Sequence, residues 1–298
     1  MGKVVFRVGV HLMADGKTNR LFQKDHLMTI LLFVLLGMLF YPIFPDLYLD
    51  WTLNDNNSHG ILVPFISLYL VWRKRDDIIL AEARSSYWGL AVLVTGLILY
   101  VLGYGGGMVV LQRAAFVIAV IGVVLYNYGT AVFSKIMFPL AFLFFMIPIP
   151  IAIEALVSLR LQLWVSEISS ILLNALSVSV LREGNILHFA STSLEVAEAC
   201  SGIRSLAAFI MLGCLLGYLL SGSYSRKILL VLVAVPLAFI VNIIRVVGTG
   251  ILAHRYGAAV AQGFFHEFSG IGVFLAGLVL FMVIFLALEE KPIPSDGR

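Results

Sequence analysis

The sequence predicts an all-α polytopic membrane protein of about eight transmembrane helices, with both termini on the cytoplasmic side. Three observations predict it. Of 298 residues, 61% are hydrophobic and 12% charged, against roughly 25% charged residues in an average soluble domain. The apolar residues gather in runs that approach the ~20 residues needed to cross a bilayer. Lys and Arg concentrate in alternate connections, as orientation by positive charge on the inside requires.

The runs lie near residues 26–45, 59–73, 87–103, 109–127, 131–149, 201–220, 228–253 and 268–288. The second is short and borrows length from its flanks. The connector DLYLDWTLNDNNS has acids and no Lys or Arg, whereas WRKRDD, SYSRK and the tail EEKPIPSDGR all carry positive charge. This alternation places residues 46–58, 184–200 and 254–267 outside. Residues 1–25 contain Lys3, Arg7, Lys17, Arg20 and Lys24 and show no small-residue cleavage site. They read as a basic cytoplasmic segment ahead of an uncleaved first span. Residues 26–288 then form a single transmembrane domain and 289–298 a cytoplasmic tail, with no internal repeat or low-complexity linker.

Residues 154–183, EALVSLRLQLWVSEISSILLNALSVSVLRE, are apolar at helical spacing but interrupted by Glu154, Arg160, Gln162, Glu167 and Asn174. The pattern suits an amphipathic helix lying in the outer interface. A spanning helix is the lesser alternative, because a ninth crossing would break the charge alternation. Next, NILHFASTSLEVAEA alternates β-branched and polar residues and predicts a short extended or hairpin stretch outside the bilayer.

The net charge of +3 forms no basic stripe and gives no reason to expect nucleic acid. Cys200 and Cys214 are about 21 Å apart along a helix, too far to form a disulfide. Both are expected as free thiols, and Cys214, in the middle of an apolar run, as core.

Cys200 stands apart because of its neighbours in EVAEACSGIRSL, residues 195–206. At the outer N-terminus of the sixth span, unpaired backbone N–H groups and the helix dipole stabilise a thiolate. Arg204 adds positive charge one turn later, while Ser201 and Gly202 leave room for close approach. The bland alternative is a small apolar filler. The seventh span contains Arg245 with Asn242 one turn before it, and an arginine within a membrane helix is costly and marks function by default. It lies about 12 Å below the outer end at Ala253, counting eight residues at 1.5 Å, so snorkelling to the headgroups is the structural alternative. The string GFFHEFSG puts His266 and Glu267 at the outer start of the eighth span.

Three elements thus deliver a nucleophile, a cation suited to an oxyanion and a general base to one side of the membrane. Covalent acyl transfer needs those groups. Asn242 and Glu267 are placed to orient Arg245 and His266. Glu195 and Glu198 either meet a basic substrate region or only solvate the approach to the helix. His59, in NNSHGILVP, either binds substrate or fixes the start of the second span, with Ser58 as its N-cap. His188 and His254 read as surface or interface residues. HEFSG has Gly270 where a zinc protease would need its second histidine, so no metal is implied, and no cofactor either. The competing class is a transporter or channel using Arg245 in a solute path. Against it, no matched pair of Gly/Pro-interrupted helices suggests inverted repeats.

The strings EVAEACSGIRSL, NIIRV and FFHEFSG, with NNSHGILVPFISLYLVWRKR upstream and FFMIPIP between, resemble the exosortase/archaeosortase family from about Trp51 to the end of the eighth span. The resemblance implies a membrane cysteine transpeptidase that recognises a C-terminal sorting signal: a short motif such as Pro-Glu-Pro, a transmembrane helix and a basic cluster. It implies cleavage near that motif and transfer to an envelope acceptor, a membrane lipid or a glycan. It assigns the catalytic cysteine, arginine and histidine to Cys200, Arg245 and His266. It further implies the inner membrane of a Gram-negative bacterium, with the site on the periplasmic face and exopolysaccharide genes nearby.

Overall fold

A computed structural model describes residues 27–81, 83–190, 192–196, 202–257 and 264–290, with residues 264–269 described by their main chain. The chain divides into two compact units, Met1–Pro148 and Ile149–Arg298. The basic segment 1–25 and the end of the tail lie outside the described residues.

In the first unit, α1 (Leu27–Leu39) and α2 (Ile43–Leu53) meet at a bend of 69°. Pro42 caps α2, and its lack of an N–H breaks the ladder there. Phe40 fills the bend, fully buried, against the rings of Tyr100 and Phe116 at centroid distances of 4.3 and 5.4 Å. A 3-10 helix, Asp55–Leu62, leads into α3 (Val63–Arg73) and the short α4 (Arg75–Ile79). α5 (Tyr87–Gly105) and α6 (Val109–Phe142) form a tight antiparallel pair. A side chain at Gly96 would stand 2.8 Å from the Ala119 backbone nitrogen, so glycine is what lets the two backbones approach.

Residues 109–127 and 131–149, predicted as separate spans, lie in one helical run broken at Gly129. There φ is 74° and ψ −173°, a conformation an L side chain resists. Two polar contacts tie the unit together: buried Arg113 of α6 donates from Nη1 to Asp50 Oδ2 of α2 at 2.6 Å, and Trp51 Nε1 donates to the Met146 carbonyl at 2.9 Å.

The second unit begins with α7 (Ile151–Ala175). Three short strands follow, β1 (Leu181–Glu183), β2 (Ile186–His188) and β3 (Ser193–Glu195), in an antiparallel sheet of order β1-β2-β3. The pairing Glu183↔Ile186 makes the first turn a two-residue loop, with Gly184 at φ 62°, as such hairpins favour. The predicted extended stretch supplies β2 and β3, and β1 comes from residues 181–183, which the sequence assigned to the preceding helix. Then come α8 (Ile203–Leu219), α9 (Tyr224–Tyr256) and α10 (Phe264–Leu288).

α9 is the central post of this unit, touching α7, α8 and α10. At one end, Arg226 of α9 pairs with Glu290 beyond α10 at 3.1 Å, beside Gly222 of the α8–α9 turn. Because successive helices reverse direction, the starts of α8 and α10 lie at the other end with the last turns of α9. The sheet docks there too: the Phe189 ring lies 6.5 Å from that of His254.

Residues 154–183, predicted as one interfacial amphipathic helix, are helical only as far as Ala175, and Leu181–Glu183 form β1. The polar residues of α7 divide: the small ones and Gln162 pack inward, while Arg160, Glu167 and Asn174 are exposed. Ser158, Gln162, Ser166, Ser169 and Ser170 are all 8% exposed or less, whereas Leu156, Trp164 and Ile171 are 56–62% exposed. Small polar residues turned to partner helices are what close helix packing in a membrane favours, and the exposed Arg160 and Glu167 need water or headgroups. Ser166 and Ser170 donate to the Gln162 and Glu167 carbonyls at 2.7 and 2.8 Å, while the buried Ser169 hydroxyl finds no partner among the described residues. α7 is also one of five described helices long and apolar enough to cross a membrane, with the bent α1–α2 pair as a sixth at most. α8 is apolar but only 17 residues, and α3 only 11. The chain is an all-α polytopic membrane protein, and its helices do not match the eight predicted spans one for one.

Candidate functional site

One face of α9 gathers the site. Asn242 and Arg245 stand about one turn apart on it, and each meets a glycine of a different helix. Gly202 is the N-cap of α8 in the left-handed region, φ 80°. A Cβ on it would stand 2.8 Å from Cγ and Nδ2 of Asn242. Both the backbone conformation and this contact exclude a side chain. Across α9, Gly270 of α10 lies against the Arg245 guanidinium, where a Cβ would be 3.0 Å from Nη2 and 3.1 Å from Cζ and Nε. Arg204, exposed in the first turn of α8, is close enough to Arg245 for the two charges to repel.

Of the predicted groups, the structure brings together Gly202, Arg204, Asn242 and Arg245. Cys200, Ser201 and Glu198 lie outside the described residues, as do the side chains of His266 and Glu267. The main chain nonetheless puts position 266 one turn, about 6 Å, before the glycine that holds Arg245. Position 200 lies two residues before the one that touches Asn242. Gly202 is the N-cap of α8, so Cys200 precedes the start of that helix by two residues in sequence.

Glu195 ends β3, paired with Ile186, and is exposed. His188 Nε2 lies 3.4 Å from Glu183 Oε2 on the sheet. His59 belongs to the first unit, within the 3-10 helix. Burial lowers the pKa of its imidazole, opposed by a hydrogen bond with the Asn56 main chain. The expectation of Ser58 as a helix N-cap is corrected: its hydroxyl donates to the Asp55 carbonyl at 2.9 Å, and α3 starts later, with Leu62 as N-cap and Pro64 in its first turn. Among the described residues, no three His, Cys, Asp or Glu side chains are grouped to hold a metal ion.

Two features escaped the sequence. Gly270 entered only as the residue that spoils a zinc motif, yet it is the surface on which Arg245 rests. Its position four residues after His266 is the one signal that pointed there. The second is a cavity of about 250 Å³ among α7, α8 and α9. Trp164, Leu206, Pro236 and Phe239 help to line it, and the touching pair Gly202 and Asn242 stands at one end.

A helical, polytopic chain with a guanidinium held half-buried among the ends of three helices is a membrane-embedded protein whose polar site is built by its own spans. A family model for transmembrane exosortases matches residues 51–283, more than three quarters of the chain. The chain belongs to the transmembrane exosortase family, which at family level comprises transmembrane sorting transpeptidases that use a cysteine. No curated protein and no solved structure matches it.

Proposed function

We propose that this chain cleaves C-terminal sorting signals of exported proteins at the outer face of the inner membrane, through Cys200, and transfers them to an envelope acceptor. The carrying observation is the wedge of α9: Asn242 against Gly202, and Arg245 against Gly270. These contacts bring Gly202, two residues after Cys200 in sequence, and Gly270, four residues after His266, onto α9 about one turn apart. His266 takes the thiol proton, and the thiolate attacks a peptide carbonyl of the signal. Arg245 stabilises the oxyanion, and His266 protonates the leaving amine, so that a thioester remains. The acceptor nucleophile, a lipid or glycan group, loses its proton to His266 and releases the thiol.

Trapping tests this directly. In membranes given a sorting-signal peptide, a thioester-linked adduct on the peptide containing residue 200 is expected by mass spectrometry. Solute flux with no adduct, unchanged on loss of the thiol, would make the protein a transporter instead.

The proposed topology has both termini inside and residues 46–58 outside. Asn56→Cys, placed in a background without native thiols, should react with an impermeant maleimide in spheroplasts. Reaction only after the inner face is opened would reverse the orientation.

Gly270 supplies a graded test of the site. In Gly270→Ala the new methyl meets the end of a flexible side chain, so the guanidinium yields by a few tenths of an ångström and the fold tolerates it. Displacement of a catalytic group by about 1 Å can cost 10²-fold. A several-fold loss of processing at normal membrane abundance is expected, and unchanged processing would separate Arg245 from the chemistry.

A further inference from the structure

We infer that the cavity among α7, α8 and α9 is a phospholipid site: it takes one acyl chain of an outer-leaflet lipid and leaves the phosphate beside Arg204 and Arg245. The inference concerns binding and holds whether or not Cys200 is the nucleophile.

Three properties choose the occupant. The lining is apolar apart from Asn242 at one end and the indole of Trp164. A peptide backbone inserted there would strand its N–H and C=O groups at several kcal/mol each, whereas a hydrocarbon chain has none to strand. The size points the same way. About 250 Å³ exceeds the ~150 Å³ that holds a benzene, yet a helix of about 10 Å diameter cannot enter. The cavity is also continuous with the lipid-facing surface, since its flanks Trp164 and Val235 are 56% and 45% exposed.

Orientation and charge supply the rest. From Asn242 to Val235 the cavity follows α9 for about 10 Å, away from the end that carries the sheet and the start of α8. A lipid whose headgroup lies at that end would send its chain down this path. Its phosphate would then stand at the end where Arg204, two residues after Gly202, and Arg245, about one turn after Asn242, carry guanidinium groups suited to phosphate.

The experiment uses the full chain in nanodiscs containing a phosphatidylglycerol with a diazirine midway along one acyl chain. After irradiation, peptide mapping should find label concentrated on residues 161–164 and 235–239. The outward residues Leu232, Ile240 and Ile244, which any annular lipid reaches, should carry several-fold less. Ala238→Phe, which fills the cavity from a buried position, should remove the concentrated label about tenfold. Val235→Phe, at the exposed flank, is the second variant should the first not accumulate. Arg204→Gln should lower labelling several-fold, and a diacylglycerol bearing the same diazirine chain should label as weakly as that variant. Even labelling along α9, or labelling unchanged in both filled variants, would overturn the site. Equal labelling by the diacylglycerol would overturn the phosphate contact. Displacement of the lipid by a sorting-signal peptide with its membrane helix would assign the cavity to peptide instead. Because the inactive Cys200→Ala chain should label like wild type, failure of the proposed reaction and failure of the lipid site give different results.

Discussion

Cells in which Cys200 is replaced by alanine or serine should retain the full-length sorting substrate, while Cys214→Ala should process it normally. The two thiols differ in position, not in kind. Cys200 lies just ahead of the start of α8, where the helix dipole favours a thiolate, and Arg204 follows in the first turn. Cys214 sits half-buried in the middle of α8, where nothing activates it. Loss of a covalent nucleophile costs about 10⁶ in kcat in a serine protease, so even serine, a poorer nucleophile lacking the low thiol pKa, should leave processing at background. Substrate size on a gel at matched enzyme abundance is the measurement. Normal cleavage by Cys200→Ala would remove the cysteine from the mechanism, and failure of Cys214→Ala would implicate the wrong thiol.

Arg245→Lys should accumulate in the membrane at the wild-type level yet leave the sorting substrate almost wholly uncleaved. As a snorkelling anchor, Arg245 would be replaceable by lysine, whose charge also rides on a long apolar stem. The structure argues for shape as well as charge. The guanidinium lies against Gly270 with Nη2, Cζ and Nε all at the contact, a flat fit that a tetrahedral ammonium lacks. Loss of one preorganised oxyanion donor typically costs about 10² to 10³ in rate, or roughly 3–4 kcal/mol. A double substitution then isolates the partnership with Gly270. If Gly270 acts by setting the guanidinium, Gly270→Ala should cost nothing further in the Arg245→Lys background, the non-additivity of residues working as a unit. Near-normal processing by Arg245→Lys would leave the residue as an anchor.

α7 shows most directly where reading the chain stops. Its spacing and composition were enough to predict a helix, but a row of Ser and Gln among leucines has two physical solutions. One turns the polar row to water and the other turns it to partner helices. Sequence periodicity is the same in both, and only packing against α9 and the sheet selects the inward one. Gly129 is similar: two apolar runs with a glycine between them fit a cytoplasmic turn or a broken helix, and the Arg84 carbonyl, standing where a side chain would project, belongs to a distant part of the chain.

By itself the sequence determined that this protein lives in a membrane, since that follows from composition and from runs of apolar residues, both local properties. It also singled out Arg245, because an arginine inside an apolar run is costly wherever the helices go. Only the tertiary structure decided what the polar residues of α9 touch. That Asn242 rests on Gly202 and Arg245 on Gly270 depends on the faces three helices turn to one another. Those faces are set by close packing between residues 40 and 25 positions apart, a distance at which no periodicity within a single helix carries information.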